Sequence, residues 1–262
     1  MKYGFALMLA LFCAAAVAQE EGADTEIWAK VRASLFGARP IVEDESQVKL
    51  RLPPRAADAG AVPLAVEATA GPAAARKLYL VIERNPSPIA AIVEFGEASG
   101  GAVLETRVRI EEYTWVRAIV EKADGSLVMS KRFIKAAGGC SAPAGKTLAE
   151  RLKGMGEMKW RVEDMSTPGG SSAVQLLVRH PNNSGLAMDQ LTRLYDPPHY
   201  VRSLRVTRDG KLVLDADVDF SLSENPSLRF LVAGGNTGTL RAEIVDSRDL
   251  AFDSEISLPA VR

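Results

Sequence analysis

From Val42 onward, apolar residues fall on every second position. Val48, Leu50 and Leu52 alternate with Lys49 and Arg51. Leu104, Thr106, Val108 and Ile110 alternate with Glu105, Arg107 and Arg109. A period of two sends successive side chains to opposite faces of a strand, so these stretches predict half-buried strands. The same reading predicts strands over residues 62–68, 77–83, 89–95, 114–122 and 127–134. Turn chemistry separates them: Pro53-Pro54, Asn85-Pro86-Ser87-Pro88, Gly100-Gly101 and the hairpin pair Asp124-Gly125. Seven or eight short strands at this spacing predict a β-sandwich.

A second set follows from about Met158, over residues 159–165, 173–179, 200–208, 211–220, 227–233, 239–246 and 250–258, with Asp209-Gly210 as its hairpin signal. It predicts a second sandwich. Two short stretches break the strand pattern. Trp28, Val31, Leu35 and Phe36 stand at i, i+3, i+7 and i+8, which predicts a helix over Glu26–Phe36. Thr25 is its N-cap and Gly37 its end, and the helix is expected to pack on the first sandwich. Residues 147–155 predict a short helical turn. The fold expected is all-β, two sandwiches in tandem over residues 25–135 and 147–262, with a short N-terminal helix. Glu83-Arg84-Asn85-Pro86-Ser87 is echoed by Ser223-Glu224-Asn225-Pro226-Ser227, and the two Asp-Gly pairs echo each other. Their order is reversed between the halves, so they read as turn chemistry and not as a tandem repeat.

Residues 136–146 fit neither pattern. Between Ala136 and Gly145 no side chain exceeds serine or proline except Cys140. Such a segment has no apolar bulk to offset its ordering entropy, so it is expected to be a mobile arm and linker that exposes a thiol. Gly138 and Gly139 are its expected hinge. Extended, the five residues from Lys135 to Cys140 reach roughly 16–18 Å. Lys135 and Lys146 flank the thiol and would favour its anion.

Composition narrows the setting. The 262-residue chain is 47% hydrophobic and 25% charged, with a formal net charge of −1. Its charges are interspersed, which argues against a nucleic-acid partner, since that needs a concentrated basic face. No stretch after residue 20 is apolar enough to span a membrane. Residues 1–18 read as a cleaved secretory signal: Lys2, an apolar run from Phe5 to Val17, and Ala16-Val17-Ala18 before Gln19. The expected location is the periplasm. Cys13 falls in this signal, which leaves Cys140 as a lone exported thiol and so a candidate for specific chemistry or intermolecular pairing.

Other chemistries lack their residues. His180 and His199 stand in no metal-ligand spacing with each other or with cysteine, so no metal or cofactor is expected. There is no Cys-x-x-Cys-His, no Gly-x-Ser-x-Gly and no phosphate or dinucleotide loop. Asn182-Asn183-Ser184 is a weak match to a glycosylation acceptor.

Particular residue sets resemble a known family. Gly60-Ala61-Val62-Pro63-Leu64, Glu83 to Pro88, Thr106-Arg107-Val108-Arg109 and Gly138-Gly139-Cys140 resemble the Y subunit of the SoxYZ carrier of bacterial sulfur oxidation. Val178-Arg179-His180-Pro181, Ser184-Gly185-Leu186, Pro198-His199-Tyr200, Asp209-Gly210-Lys211 and Ser223 to Phe230 resemble the Z subunit. The resemblance implies two immunoglobulin-like sandwiches, with Cys140 as the covalent attachment point for sulfur intermediates and no catalysis by the chain itself. The halves are fused here, and Ser141-Ala142 replaces the final two glycines of the family's arm. Fusion is a mark of SoxYZ-like carriers associated with quinoprotein (PQQ) dehydrogenases. The implied partners are periplasmic redox enzymes: a quinoprotein dehydrogenase, c-type cytochromes or Sox-type enzymes, with no nucleic acid and no membrane after signal cleavage. Two alternatives stay open: a non-covalent accessory module for such a dehydrogenase or its cytochrome, and a thiol enzyme with a base supplied by the fold.

Overall fold

The computed structural model describes residues 25–69, 75–142, 147–163, 170–189, 193–234 and 237–258. The signal segment with Cys13, and Lys146, lie outside them. Helix α1 (Glu26–Phe36) belongs to a unit ending at Arg39. The Thr25 side chain accepts from the Trp28 backbone N–H, and Gly37 ends the helix with φ of 58°. Trp28 and Phe36 are its buried side chains.

The second unit, from Pro40 on, is all-β apart from one short helix. Its first-half strands are β1 (Ile41–Glu43), β2 (Val48–Arg51), β3 (Val62–Ala68), β4 (Ala75–Ile82), β5 (Ile89–Phe95), β6 (Ser99–Val108), β7 (Thr114–Lys122) and β8 (Leu127–Ile134). Helix α2 (Leu148–Leu152) follows, closed by a capping box between Thr147 and Glu150. The second half holds β9 (Met158–Glu163), β10 (Ser172–Val178), β11 (Val201–Arg208), β12 (Lys211–Val218), β13 (Ser227–Val232), β14 (Gly238–Asp246) and β15 (Ala251–Leu258). The expected strands are present. β1, three residues paired parallel to β8, is too short to show a period.

Each half is a sandwich, and the halves join edge to edge. One sheet runs β1-β8-β7-β4-β5-β12-β11-β14-β15 and the other β2-β3-β6-β13-β10-β9. β5 pairs antiparallel with β12, from Ala91 opposite Val218 to Phe95 opposite Leu214. β6 pairs with β13 through a shifted register, and Arg229 reaches across to Glu105 at 2.7 Å. An unpaired edge strand exposes a row of hydrogen-bonding groups; here each half covers an edge of the other. The buried residues form one continuous core, with Leu64, Leu80 and Leu104 from the first half and Leu176, Leu214 and Phe230 from the second.

Gly100-Gly101 is not the turn its composition suggests. It opens β6 as an irregular stretch. A Cβ on Gly100 would lie 2.4 Å from Ser171 Oγ, and Gly101 has φ of 148°, so glycine is required where the two halves approach. The two Asn-Pro-Ser turns are not equivalent. One joins β4 to β5, the other β12 to β13, whereas the Asp-Gly turns join β7 to β8 and β11 to β12.

Candidate functional site

The segment after β8 continues along the sandwich instead of leaving it. Lys135 N–H donates to Pro54 O, and Ala56 N–H donates to Lys135 O. Gly138 and Gly139 donate to the backbone carbonyls of Glu111 and Ile110, at 2.7 and 2.9 Å. Gly138 has φ of 77°, and a Cβ on Gly139 would meet Ala59 O at 2.1 Å. The glycines expected as a hinge thus also let this backbone pass close to residues 59 and 110.

Cys140 ends this docked stretch and is 2% exposed, against the expectation of a thiol free on a mobile arm. The physical reason lies in the backbone. Apolar bulk is absent, but hydrogen bonds replace it. The Glu111 carboxylate accepts from Cys140 N–H at 2.8 Å, from Ser141 N–H at 3.2 Å and from the Ser141 hydroxyl at 2.6 Å. From the second half, the Ser184 hydroxyl donates to the Cys140 carbonyl. Among the described residues, six hydrogen bonds tie residues 138–141 to residues 110, 111 and 184. At about 1 kcal/mol each they supply about 6 kcal/mol. Ordering four or five residues costs about 5–10 kcal/mol. The two nearly cancel, so docked and released arms differ by only a few kcal/mol.

Docking also sets the thiol's chemistry. Burial pushes the Cys140 thiol up from an ordinary 9.0 to about 12; the Glu111 carboxylate adds to this, and Arg109 opposes it. A thiolate is the nucleophilic form, so the docked cysteine is chemically quiet.

Arg109 is placed by the turn between β4 and β5. Asn85, 4% exposed, donates from Nδ2 to Arg109 O and to Ser221 Oγ, and accepts at Oδ1 from Glu111 N–H. One amide therefore fixes both charged residues flanking Ile110. The Arg109 guanidinium donates to the carbonyls of Asn182, Phe220 and Leu222 in the second half. Burial lowers its pKa, opposed by Cys140. Glu83, from the same turn, is fully buried against Arg117.

A cavity of about 240 Å³ opens beside Cys140, lined from the first half by Asp58, Arg109 and Gly139 and from the second by Arg151, Asn183 and Ser223. Arg151 donates to Asn183 Oδ1 and Asp196 Oδ2. Among the described residues, Arg151 Nε, Asn183 Nδ2 and Ser223 Oγ, all on residues of this lining, are buried without a hydrogen-bond partner. Asn182, the acceptor position of the glycosylation match, is fully buried; its Nδ2 donates to Leu222 O and its Oδ1 accepts from Val201 N–H. It is structural in this fold.

His180 and His199, unrelated by spacing, meet in the second half. Their rings stand edge to face with centroids 4.8 Å apart, and both Nε2 atoms approach Asp246 Oδ2, at 3.5 and 2.7 Å. All three are buried, and among the described residues they are the group able to converge on a metal ion. Asn182 N–H donates to His180 Nδ1, which puts the neutral ring's proton on Nε2, aimed at Asp246 in place of a lone pair. The donor set thus reads as a hydrogen-bonded cluster. Burial lowers the His180 pKa to about 4, with His199 adding to it.

Residues 32–140 match the family of the sulfur oxidation protein SoxY, and residues 158–257 match that of the sulphur oxidation protein SoxZ. The chain is a fused SoxYZ-like protein. The SoxY match ends on Cys140 itself. Among solved structures, the sulfur carrier protein SoxY from Chlorobium limicola f thiosulfatophilum is 22% identical, covers 41% of this chain and 89% of its own, and has a TM-score of 0.35. A beta-glycosidase from Bacteroides vulgatus is 10% identical over 86% of this chain and 26% of its own, with a TM-score of 0.22. No curated protein matches the chain. Neither sequence pattern nor spacing marks Glu111, Arg151 or Ser223 as neighbours of Cys140; the fold of the first half brings Glu111 there, and the joining of the halves brings Arg151 and Ser223.

Proposed function

We propose that this SoxYZ-like chain is a periplasmic carrier that holds a sulfur-containing group covalently on Cys140 and presents it to partner redox enzymes, without catalysing the chemistry itself. The observation that carries this reading is the position of Cys140. It is the free cysteine of the described residues, it closes the SoxY match, and it sits at the junction of the two halves on a segment held by hydrogen bonds. The matches to the sulfur oxidation proteins SoxY and SoxZ support the same role. The docked state shields the thiol, and release about Gly138 and Gly139 presents it. The partners in this reading are Sox-type enzymes, c-type cytochromes or a quinoprotein dehydrogenase.

Intact-mass analysis of protein taken from its native compartment tests the proposal. The expected result is a mass increment that maps to Cys140, on a chain beginning at Gln19. An unmodified thiol throughout, with full function in Cys140→Ser, overturns it.

A further inference from the structure

Three consecutive residues join the buried histidines to the cysteine. Asn182 N–H donates to His180 Nδ1 at 3.1 Å, and Asn182 O accepts from Arg109 at 2.7 Å. Asn183 exchanges both backbone hydrogen bonds with His199, at 2.7 and 3.1 Å. The Ser184 hydroxyl donates to the Cys140 carbonyl. The tripeptide is thus a short tie between the histidine cluster of the second half and the seat of Cys140. Asn182 holds φ of 45°, a left-handed conformation that is unfavourable outside glycine and persists only where its surroundings hold it. Among its holders are the His180 ring on its N–H, and Val201 N–H and Leu222 O on its side chain. The bond to His180 depends on charge. Nδ1 accepts only while the ring is neutral, because an imidazolium carries N–H on both nitrogens. Protonation sets one N–H against another, around a ring that is fully buried. Asp246, 3.5 Å from Nε2, favours the proton, whereas His199 and Arg248 oppose it.

We propose that His180 is a positioning residue for Cys140: its neutral ring holds Asn182-Asn183-Ser184 in place, and its protonation slackens this tie and releases the Cys140 segment. The inference goes beyond the carrier reading by naming what governs release, and rests on that reading only for the use of release, which is to present the thiol. Burial is the main cause that lowers the His180 pKa from 6.5 to about 4. The hold of the neutral ring is therefore complete above pH 6.5 and lost as pH falls through 4. Two carboxylates act on the thiol from other elements: Glu111, and Asp219, which burial raises to about 6. They gain protons in acid as well, so the test must separate their share from that of His180.

The test follows the reaction of the full chain with 4,4′-dithiodipyridine, a disulfide reagent that stays reactive toward thiols in acid. At each pH the Cys140 rate is divided by that of a peptide of residues 135–146, which cancels the pH dependence of the reagent. The expected result is a quotient that rises at least fivefold from pH 7 to pH 4 while far-ultraviolet circular dichroism is unchanged. His180→Gln, whose amide oxygen can accept from Asn182 at any pH, should cut the rise to below twofold. His199→Gln removes a group that opposes the proton and should move the rise to higher pH. Ser184→Ala cuts the tie at its cysteine end, so its quotient should be high already at pH 7 and flat down to pH 4. A flat quotient in the wild-type chain overturns the inference. So does a rise that His180→Gln keeps in full, or one that appears only with loss of circular dichroism. Should His180→Gln not fold, Ser184→Ala decides: a full acid rise retained there overturns the inference. Absence of any adduct on native protein, with the acid rise intact, overturns the carrier reading alone.

Discussion

The backbone N–H of Cys140 donates to Oε2 of Glu111 at 2.8 Å, so one carboxylate both anchors the Gly-Gly-Cys segment and, beside burial, opposes ionisation of its thiol. Glu111→Gln keeps an acceptor and removes the charge. The thiol pKa should fall from about 12 toward 9.0, and alkylation by iodoacetamide at pH 8 should speed up several-fold. A rate unchanged from wild type would show that Glu111 does not govern the thiol.

Gly139 is the tightest point of the docked segment. Gly139→Ala would put a Cβ 2.1 Å from Ala59 O and 2.7 Å from Ile110 N, both backbone atoms with no room to move. The segment should undock while the sandwich stays folded. Reaction of Cys140 with an aromatic disulfide reagent should rise at least tenfold, with far-ultraviolet circular dichroism unchanged. A thiol still as slow as wild type would place the accessible state elsewhere.

Alkaline pH should release the segment without mutation. The thiol's pKa is raised on docking, so docking is fully favourable below pH 9.0 and weakens as pH rises from there to about 12. Each pH unit in that window should change the docked-to-released ratio up to tenfold. Fluorescence of a probe placed at Ala137 should report release that begins above pH 9 and is absent in Cys140→Ser.

Acid should act on the second half. The His180 pKa is depressed to about 4 from an ordinary 6.5, so the neutral ring contributes stability that is complete above pH 6.5 and lost as pH falls through 4. Urea unfolding should show a loss of up to about 1.4 kcal/mol per pH unit across this window. His180→Gln, which cannot take up the proton, should flatten that slope.

Glu83 and Arg117 form an ion pair with both side chains fully buried. Glu83→Ala leaves a guanidinium without its charge partner in the core and should cost about 3–5 kcal/mol in chemical unfolding. A loss under 1 kcal/mol would mean that the other contacts of Arg117 suffice.

Much of the fold was legible in the chain because strand period and turn chemistry are local. Val62–Ala68, Ile89–Phe95, Thr114–Lys122 and Leu127–Ile134 lie where alternation predicts them. The partnership of β5 with β12 was not legible, since one strand edge resembles another until both are in place. Cys140 could be singled out by its rarity and its glycines. Its burial could not, because the groups that hold it are a carboxylate from residue 111 and a hydroxyl from residue 184. Reasoning from side-chain bulk alone overlooked the hydrogen bonds available to a bare backbone. The histidines likewise are 19 residues apart, and Asp246, which joins them, follows much later in the sequence.

The shared sheets give the two halves a property that separate subunits lack. Their association is a unimolecular event, independent of how dilute the protein becomes. The second half, and the wall it contributes beside Cys140, therefore stay in place at any copy number. A segment released from its seat would return to it by first-order kinetics as well, with no search for a partner.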